Sequence, residues 1–188
     1  MTGRELVSPE LVERCKAGDE QAWRELVDAT HREVYTLCLR ILRDPDDASE
    51  ATQDAYLKAW RALGGFRGDA MFTTWLYRVA ANTAISKHRT RARRRKHETG
   101  IADEVLGRFA ASGSTESSAT AKVEVAALER ALARLPEHYR TAVVLRDVYG
   151  LSIEEIANQQ HISATAAKVR VHRGRKKLKE LVYPEAGE

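Results

Sequence analysis

Arg78, Asn82, Ser86 and Arg89 recur at the spacing that places them on one face of a helix, and they lead into a cluster of cations made by Arg89, Arg91, Arg93, Arg94, Arg95 and Lys96. Guanidinium groups so arranged can grip phosphates, and an amide among them can read a base edge. A solvated basic face has the same composition, so the segment alone leaves both readings open. A second basic stretch covers residues 168 to 179. Stepping 100° per residue from Thr165 puts Thr165, Val169, His172 and Lys176 on one side, flanked by Lys168, Arg173, Arg175 and Lys179. Ala167, Val171, Gly174 and Leu178 fall on the other side and should pack inward. Side chains near the start of such a helix suit base edges in a major groove, and the later cations suit phosphates.

These residues need helices to hold them. Phe72, Trp75, Leu76, Val79, Ala80 and Thr83 form one apolar stripe, which predicts the helix that carries Asn82. Asp69 is placed to cap it, after a loop in which Gly64, Gly65 and Gly68 surround Phe66 and Arg67. Upstream, Ser8 and Pro9 open a short helix ending before Gly18, and Asp19 caps the next. That second helix turns Ala22, Trp23, Leu26, Val27, Val34, Leu37, Cys38, Ile41 and Leu42 inward and stops at Asp44-Pro45. A third, about 46 to 63, buries Thr52, Ala55, Tyr56, Ala59, Trp60 and Leu63. Its other face shows Glu50, Gln53, Asp54 and Arg61, with Leu57 as an apolar intruder. A lone exposed leucine is ordinary, but one flanked by carboxylates on a regular face can anchor a partner.

From Glu98 the composition shifts to small, polar and acidic residues, with GSTESSAT as the most polar part, so residues 97–121 read as a linker. Ile101, Val105, Leu106 and Phe109 could form a short docked turn within it. A second unit starts at Lys122. Its first helix turns Leu128, Ala131, Leu132 and Leu135 inward, and Pro136 opens a helix that ends at Gly150. Leu151, Ser152, Glu155 and Ile156 then occupy the positions of a hydrophobic staple and a capping box, predicting a helix from Ile153. His161-Ile162-Ser163 forms a tight turn, Ser163 caps again, and the basic helix runs from Ala164 to about Leu181. Two helices joined so tightly read as helix-turn-helix.

Composition agrees. In 188 residues, 43% hydrophobic and 31% charged, a net charge of +4 hides acidic residues gathered early and two separate basic patches. Scarce Gly and Pro with abundant Ala, Leu, Arg and Glu predict an all-α fold of two small helical domains, 8–96 and 122–183. No apolar run is long enough to span a bilayer, and the start lacks a signal peptide's apolar core, so no membrane insertion and a cytoplasmic location are expected. Cys15 and Cys38 sit on apolar helix faces, as buried small hydrophobes do. The histidines show no metal-ligand spacing, and neither a metal nor another cofactor is expected.

Three stretches, DPDDASEATQDAYLKAW, FRGDAMFTTWLYRVAANTAISKHR and LPEHYRTAVVLRDVYGLSIEEIANQQHISATAAKVRVHRGRKKL, occur in this order with a linker before the last. Together they resemble bacterial sigma factors of the extracytoplasmic-function class, in the sigma-70 family, over nearly the whole chain. The resemblance implies a promoter-specificity subunit of RNA polymerase, binding core enzyme through the clamp helices of the β′ subunit and the flap of the β subunit, and partnership with an anti-sigma factor. It places Glu50, Gln53, Asp54 and Leu57 on the polymerase-facing surface. It assigns Phe66, Arg67, Asp69, Arg78, Asn82, Lys87 and Arg89 to the minus-10 promoter element, where an extruded base would be held. It assigns Thr165, Lys168, Val169, Arg170, His172, Arg173, Arg175 and Lys176 to the minus-35 element. The linker would run inside polymerase, where Asp103, Glu104 and Glu116 either mimic nucleic acid or belong to a plain tether.

The chain departs from the family where S-x-G-T-V-K-S-R-L-H-R-A-R is common. Thr165, Ala166 and Ala167 replace Gly, Thr and Val, and Val169 replaces a serine, so the base-reading side differs. Val169 suits contact with a thymine methyl. Two other functions compete. A stand-alone repressor or activator would use the same helix-turn-helix but should dimerise, and no heptad supplies an interface. An enzyme would need a nucleophile motif, a phosphate loop or metal-ligand spacing, none of which is evident.

Overall fold

The computed structural model describes residues 7–99 and 119–183, and every regular element among them is helical. The chain divides into two compact units, Met1–Ile101 and Ala102–Glu188. In the first, helices α1 (Pro9–Lys16), α2 (Glu20–Leu42), α3 (Pro45–Ala62) and α4 (Phe72–Thr99) pack together. Ser8 caps α1 by accepting from the Leu11 N–H at 3.2 Å, and Asp19 caps α2 by accepting from Ala22 at 3.0 Å. Asp44 performs the same service for α3. Its Oδ1 accepts from the N–H groups of Asp46 (3.1 Å) and Asp47 (3.0 Å), with Pro45 as the first helical residue. Arg43, just before it, adopts a left-handed conformation with φ of 59°, and the chain turns between α2 and α3 within the two residues Arg43 and Asp44.

Small residues draw these helices close. Ala48, Ala51, Ala55 and Ala59 form a fully buried stripe on α3, and Ala80, Ala81 and Ala84 do so on α4, around Leu26, Val34, Leu37, Ile41 and Leu76. The Thr30 and Tyr56 hydroxyls that enter this core are paired. The Thr30 hydroxyl donates to the Leu26 carbonyl at 2.8 Å, leaving the Tyr56 hydroxyl to donate to Thr30 Oγ1 at 2.8 Å. Burial pushes the Tyr56 hydroxyl up to about 12 and the Cys38 thiol to about 11, so both stay neutral at physiological pH. Cys15 and Cys38 are buried and unbridged.

The second unit comprises α5 (Ala119–Arg134), α6 (Glu137–Val143), α7 (Ile153–Gln160) and α8 (Ala164–Val182) around Leu135, Val144, Leu145, Leu151 and Ile156. The capping box is present: Glu155 N–H reaches Ser152 Oγ at 3.2 Å, and Glu155 Oε2 accepts from Ser152 N–H at 2.7 Å. Between α7 and α8, His161 takes a left-handed conformation with φ of 51°. Its N–H reaches the Asn158 carbonyl at 3.3 Å while the Ile162 N–H reaches Ala157 at 3.0 Å, a Schellman closure that lets Ser163 cap α8 at once.

Five expectations need correction. Trp60 is 40% exposed and Leu128 42% exposed, so neither is a core residue. Asp69 does not cap α4, which begins at Phe72; its carboxylate lies 3.5 Å from Arg67 Nε instead. The helix after Pro136 stops at Val143 and continues as a π-helical turn, Val144–Val148. Helix α4 runs to Thr99 and α5 starts at Ala119, so three residues at each edge of the expected linker are helical. Ile101, Val105, Leu106 and Phe109, with Asp103, Glu104 and Glu116, lie outside the described residues.

Candidate nucleic-acid interface

Three surfaces carry the candidate residues. On α3, Glu50, Gln53 and Asp54 are exposed and Leu57 is 55% exposed. Leu57 borders a groove of about 590 Å³ between α2 and α3, whose apolar wall is Trp23, Val27, Tyr56 and Trp60. Trp23 meets the Trp60 ring edge-on at 4.9 Å between centroids and the Tyr56 ring at 6.2 Å. The indole of Trp60 therefore leans on Trp23 while part of it stays open to solvent. Sequence periodicity missed this pair as surface, because Trp60 lies at the margin of the buried stripe and only the neighbouring helix determines how much of it is covered.

The second surface is α4 with the loop before it. Phe66 is half-buried, edge-on to Phe72 at 5.4 Å and tilted against Trp75 at 5.4 Å, with Lys16 Nζ 5.5 Å from its ring centroid. It lines a cavity of about 330 Å³ together with Val7, Val12, Arg67, Ala70 and Met71. Apolar walls, an aromatic ring and a cation at the mouth suit a planar, partly polar ligand. Arg67 and Asp69 are largely exposed, and an ion pair of that kind contributes at most about 1 kcal/mol. Asn82 and Ser86 are exposed on the face that also holds the half-buried Arg78 and Arg89.

Lys87 departs from that group. Its Nζ lies 2.6 Å from Glu50 Oε2 and 3.6 Å from Asp47 Oδ1, and its side chain is only 20% exposed. Burial works to lower the pKa of this ammonium, but the hydrogen bond and charge of Glu50, with Asp47, outweigh it and raise the pKa. One turn on, Arg91 bridges Asp44 and Asp47, with Nη1 at 3.0 Å from Asp44 Oδ2. Lys87 and Arg91 thus face the carboxylates of α3.

The third surface is α8. Thr165, Lys168, Val169, His172, Arg173 and Lys176 are exposed, while Ala167, Val171 and Gly174 are buried, as the helical spacing requires. Arg170 and Arg175 are engaged within the unit. Arg170 Nη1 donates to Gln160 Oε1 at 2.5 Å, and Arg175 forms a two-pronged contact with Asp147, Nε to Oδ2 being 3.0 Å. Asp147 belongs to the π-helical turn. Arg146, beside it, ties that turn to the Leu151 carbonyl at 2.7 Å. Gly174 is where α8 crosses α6: a Cβ there would lie 2.6 Å from Val143 Cγ2 and 3.1 Å from the Tyr139 carbonyl oxygen.

Comparison with known proteins identifies the family. Residues 26–94 match the family described as Sigma-70 region 2, and residues 126–178 match Sigma-70, region 4. The RNA polymerase sigma-H factor of Pseudomonas aeruginosa is 34% identical over 93% of this chain and 93% of its own length. The chain belongs to the extracytoplasmic-function RNA polymerase sigma factors. The sigma factor SigW of Bacillus subtilis is 30% identical, covering 94% of this chain and 97% of that one, and the sigma-E factor of Escherichia coli is 33% identical, covering 96% of each. The fold is shared with the sigma factor RpoE of Bartonella quintana, solved with the anti-sigma factor NepR, at TM-score 0.64 and 22% identity over 86% of this chain and 97% of that one. It is also shared with CnrH, solved with the cytosolic domain of CnrY, at TM-score 0.59 and 23% identity over 94% and 97%. The sigma factor is accordingly a promoter-specificity subunit, acting with core RNA polymerase on promoter DNA.

Proposed function

We propose that this sigma factor divides its work among the three surfaces. Residues 8–96 dock on the clamp helices of the β′ subunit through Glu50, Gln53, Asp54 and Leu57, with Trp23 and Trp60 completing the apolar contact. The same unit holds the melted minus-10 strand with Phe66, Arg67, Asp69, Arg78, Asn82 and Arg89. An extruded base loses stacking worth a few kcal/mol, and an aromatic-walled cavity with nearby donors offsets that loss. Residues 122–183 engage the flap of the β subunit and read the minus-35 element, using Thr165, Lys168, Val169, His172, Arg173 and Lys176. Arg170 and Arg175 hold the helix-turn-helix in shape and reach DNA only from those anchored positions. The chain makes and breaks no covalent bond, works in the cytoplasm where polymerase is, and is held inactive by an anti-sigma factor, as the relatives solved with such partners suggest.

The observation that carries this reading is that α3 and α4 expose two chemically different surfaces in one unit, an apolar groove edged by carboxylates and a face of amide and guanidinium groups. Two substitutions should separate them. Leu57→Asp puts a charge in the groove and should abolish co-purification with core enzyme while helicity stays intact. Asn82→Ala should leave co-purification unchanged but lower permanganate reactivity of promoter thymines. Loss of both properties in both variants would reject the division.

A further inference from the structure

The Lys87–Glu50 contact joins a cation on the promoter-facing helix to a carboxylate on the polymerase-facing one. We propose that Glu50 masks Lys87 in the free sigma factor, and that polymerase docking on Glu50 releases the ammonium to a promoter phosphate. This rests on the docking surface proposed above. Lys87 is 20% exposed, 2.6 Å from Glu50 and more distant, at 3.6 Å, from Asp47, whose carboxylate Arg91 also engages, so a phosphate approaching the free chain meets a cation neutralised mainly by Glu50. Glu50 is 66% exposed, so a cationic partner can reach its carboxylate while Oε2 holds Lys87.

The strength of the contact fits an exchange. A pair with one partner mostly in water shifts an equilibrium by a factor of only about two to five, which a new ionic partner can match. The lysine's flexible stem and single ammonium let it swing to another acceptor. Arg91 is built differently. Its guanidinium spans two carboxylates, Asp44 and Asp47, whose side chains are 32% and 21% exposed. It holds the α3–α4 junction together when Lys87 leaves.

Amine-reactive labelling, read at Lys87 by mass spectrometry, tests this on the full chain alone, the chain with core polymerase, and that complex with promoter DNA. Labelling is expected to be low in the free chain, about two- to fivefold higher on core binding, and low again with DNA. Equal protection in the first two states would make Lys87 a fixed brace and overturn the proposal. High labelling in the free chain would overturn the mask. Glu50→Gln in the free chain should raise Lys87 labelling without polymerase, with circular dichroism confirming the fold; no rise counts against the mask. Run-off transcription by the same complex distinguishes the two levels. A complex that transcribes with flat Lys87 labelling loses this proposal alone, whereas one that does not transcribe loses the functional reading.

Discussion

Single residues set how α8 is presented. At Gly174 the missing methyl is the space that Val143 and the Tyr139 carbonyl occupy. Gly174→Ala gains about 1 kcal/mol of helix propensity. It also forces a methyl against a β-branched side chain that is 3% exposed and stiff about χ1, and such overpacking costs about 1–3 kcal/mol. Net destabilisation of about 1 kcal/mol is expected, seen as a lower urea midpoint. Adding Val143→Ala should cost less than the sum of the two single changes. An unchanged midpoint for Gly174→Ala would mean that α6 yields freely. The buried positions of α8 were legible because they follow one helix's own period. Lys87 was not, since its partner Glu50 lies on another helix and ion pairs of that separation leave no local pattern.

At the scale of elements, local chemistry was the readable part. Ser8, Asp19, Ser152 and Ser163 all cap as their positions suggest, because a cap depends on residues within one turn. Asp69 shows the limit. It too precedes an apolar run, but the loop with Gly68 at φ of 79° delays the helix to Phe72 and leaves the carboxylate beside Arg67. Trp60 departs from its helical period for a related reason: period alone gives a direction, and the neighbouring helix decides what covers it. Asp44 joins local and tertiary roles, capping α3 while receiving Arg91. The Asp47 N–H chiefly holds its carboxyl below the usual range; burial opposes this and Arg91 adds to it. Because the folded pKa is depressed, the stabilisation is full above the unfolded value near 3.9 and is lost as pH falls through the folded one. Asp44→Ala should therefore cost about 1 kcal/mol at neutral pH, and the gap from the parent should close below about pH 4 in acid-unfolding curves. A gap independent of pH would remove the carboxylate from the account.

For the whole molecule, the two-unit plan was readable from the order of the three motifs and the composition change between them, and both family matches fall within those units. On the proposed division, joining two DNA-reading units in one chain makes the second contact intramolecular, so a bipartite promoter should be bound more tightly than either element alone. Which promoters are chosen is set by the DNA as well as the chain: Thr165 and Val169 are exposed on α8, and on the proposed division their contacts are made only with the bases they meet. The chain confers promoter specificity on core polymerase. Run-off transcription from genomic fragments, with core enzyme in the presence and absence of the purified chain, tests it most directly. Discrete products that appear from a subset of fragments only when the chain is added are the expected result, and no product above core enzyme alone from any fragment would contradict it.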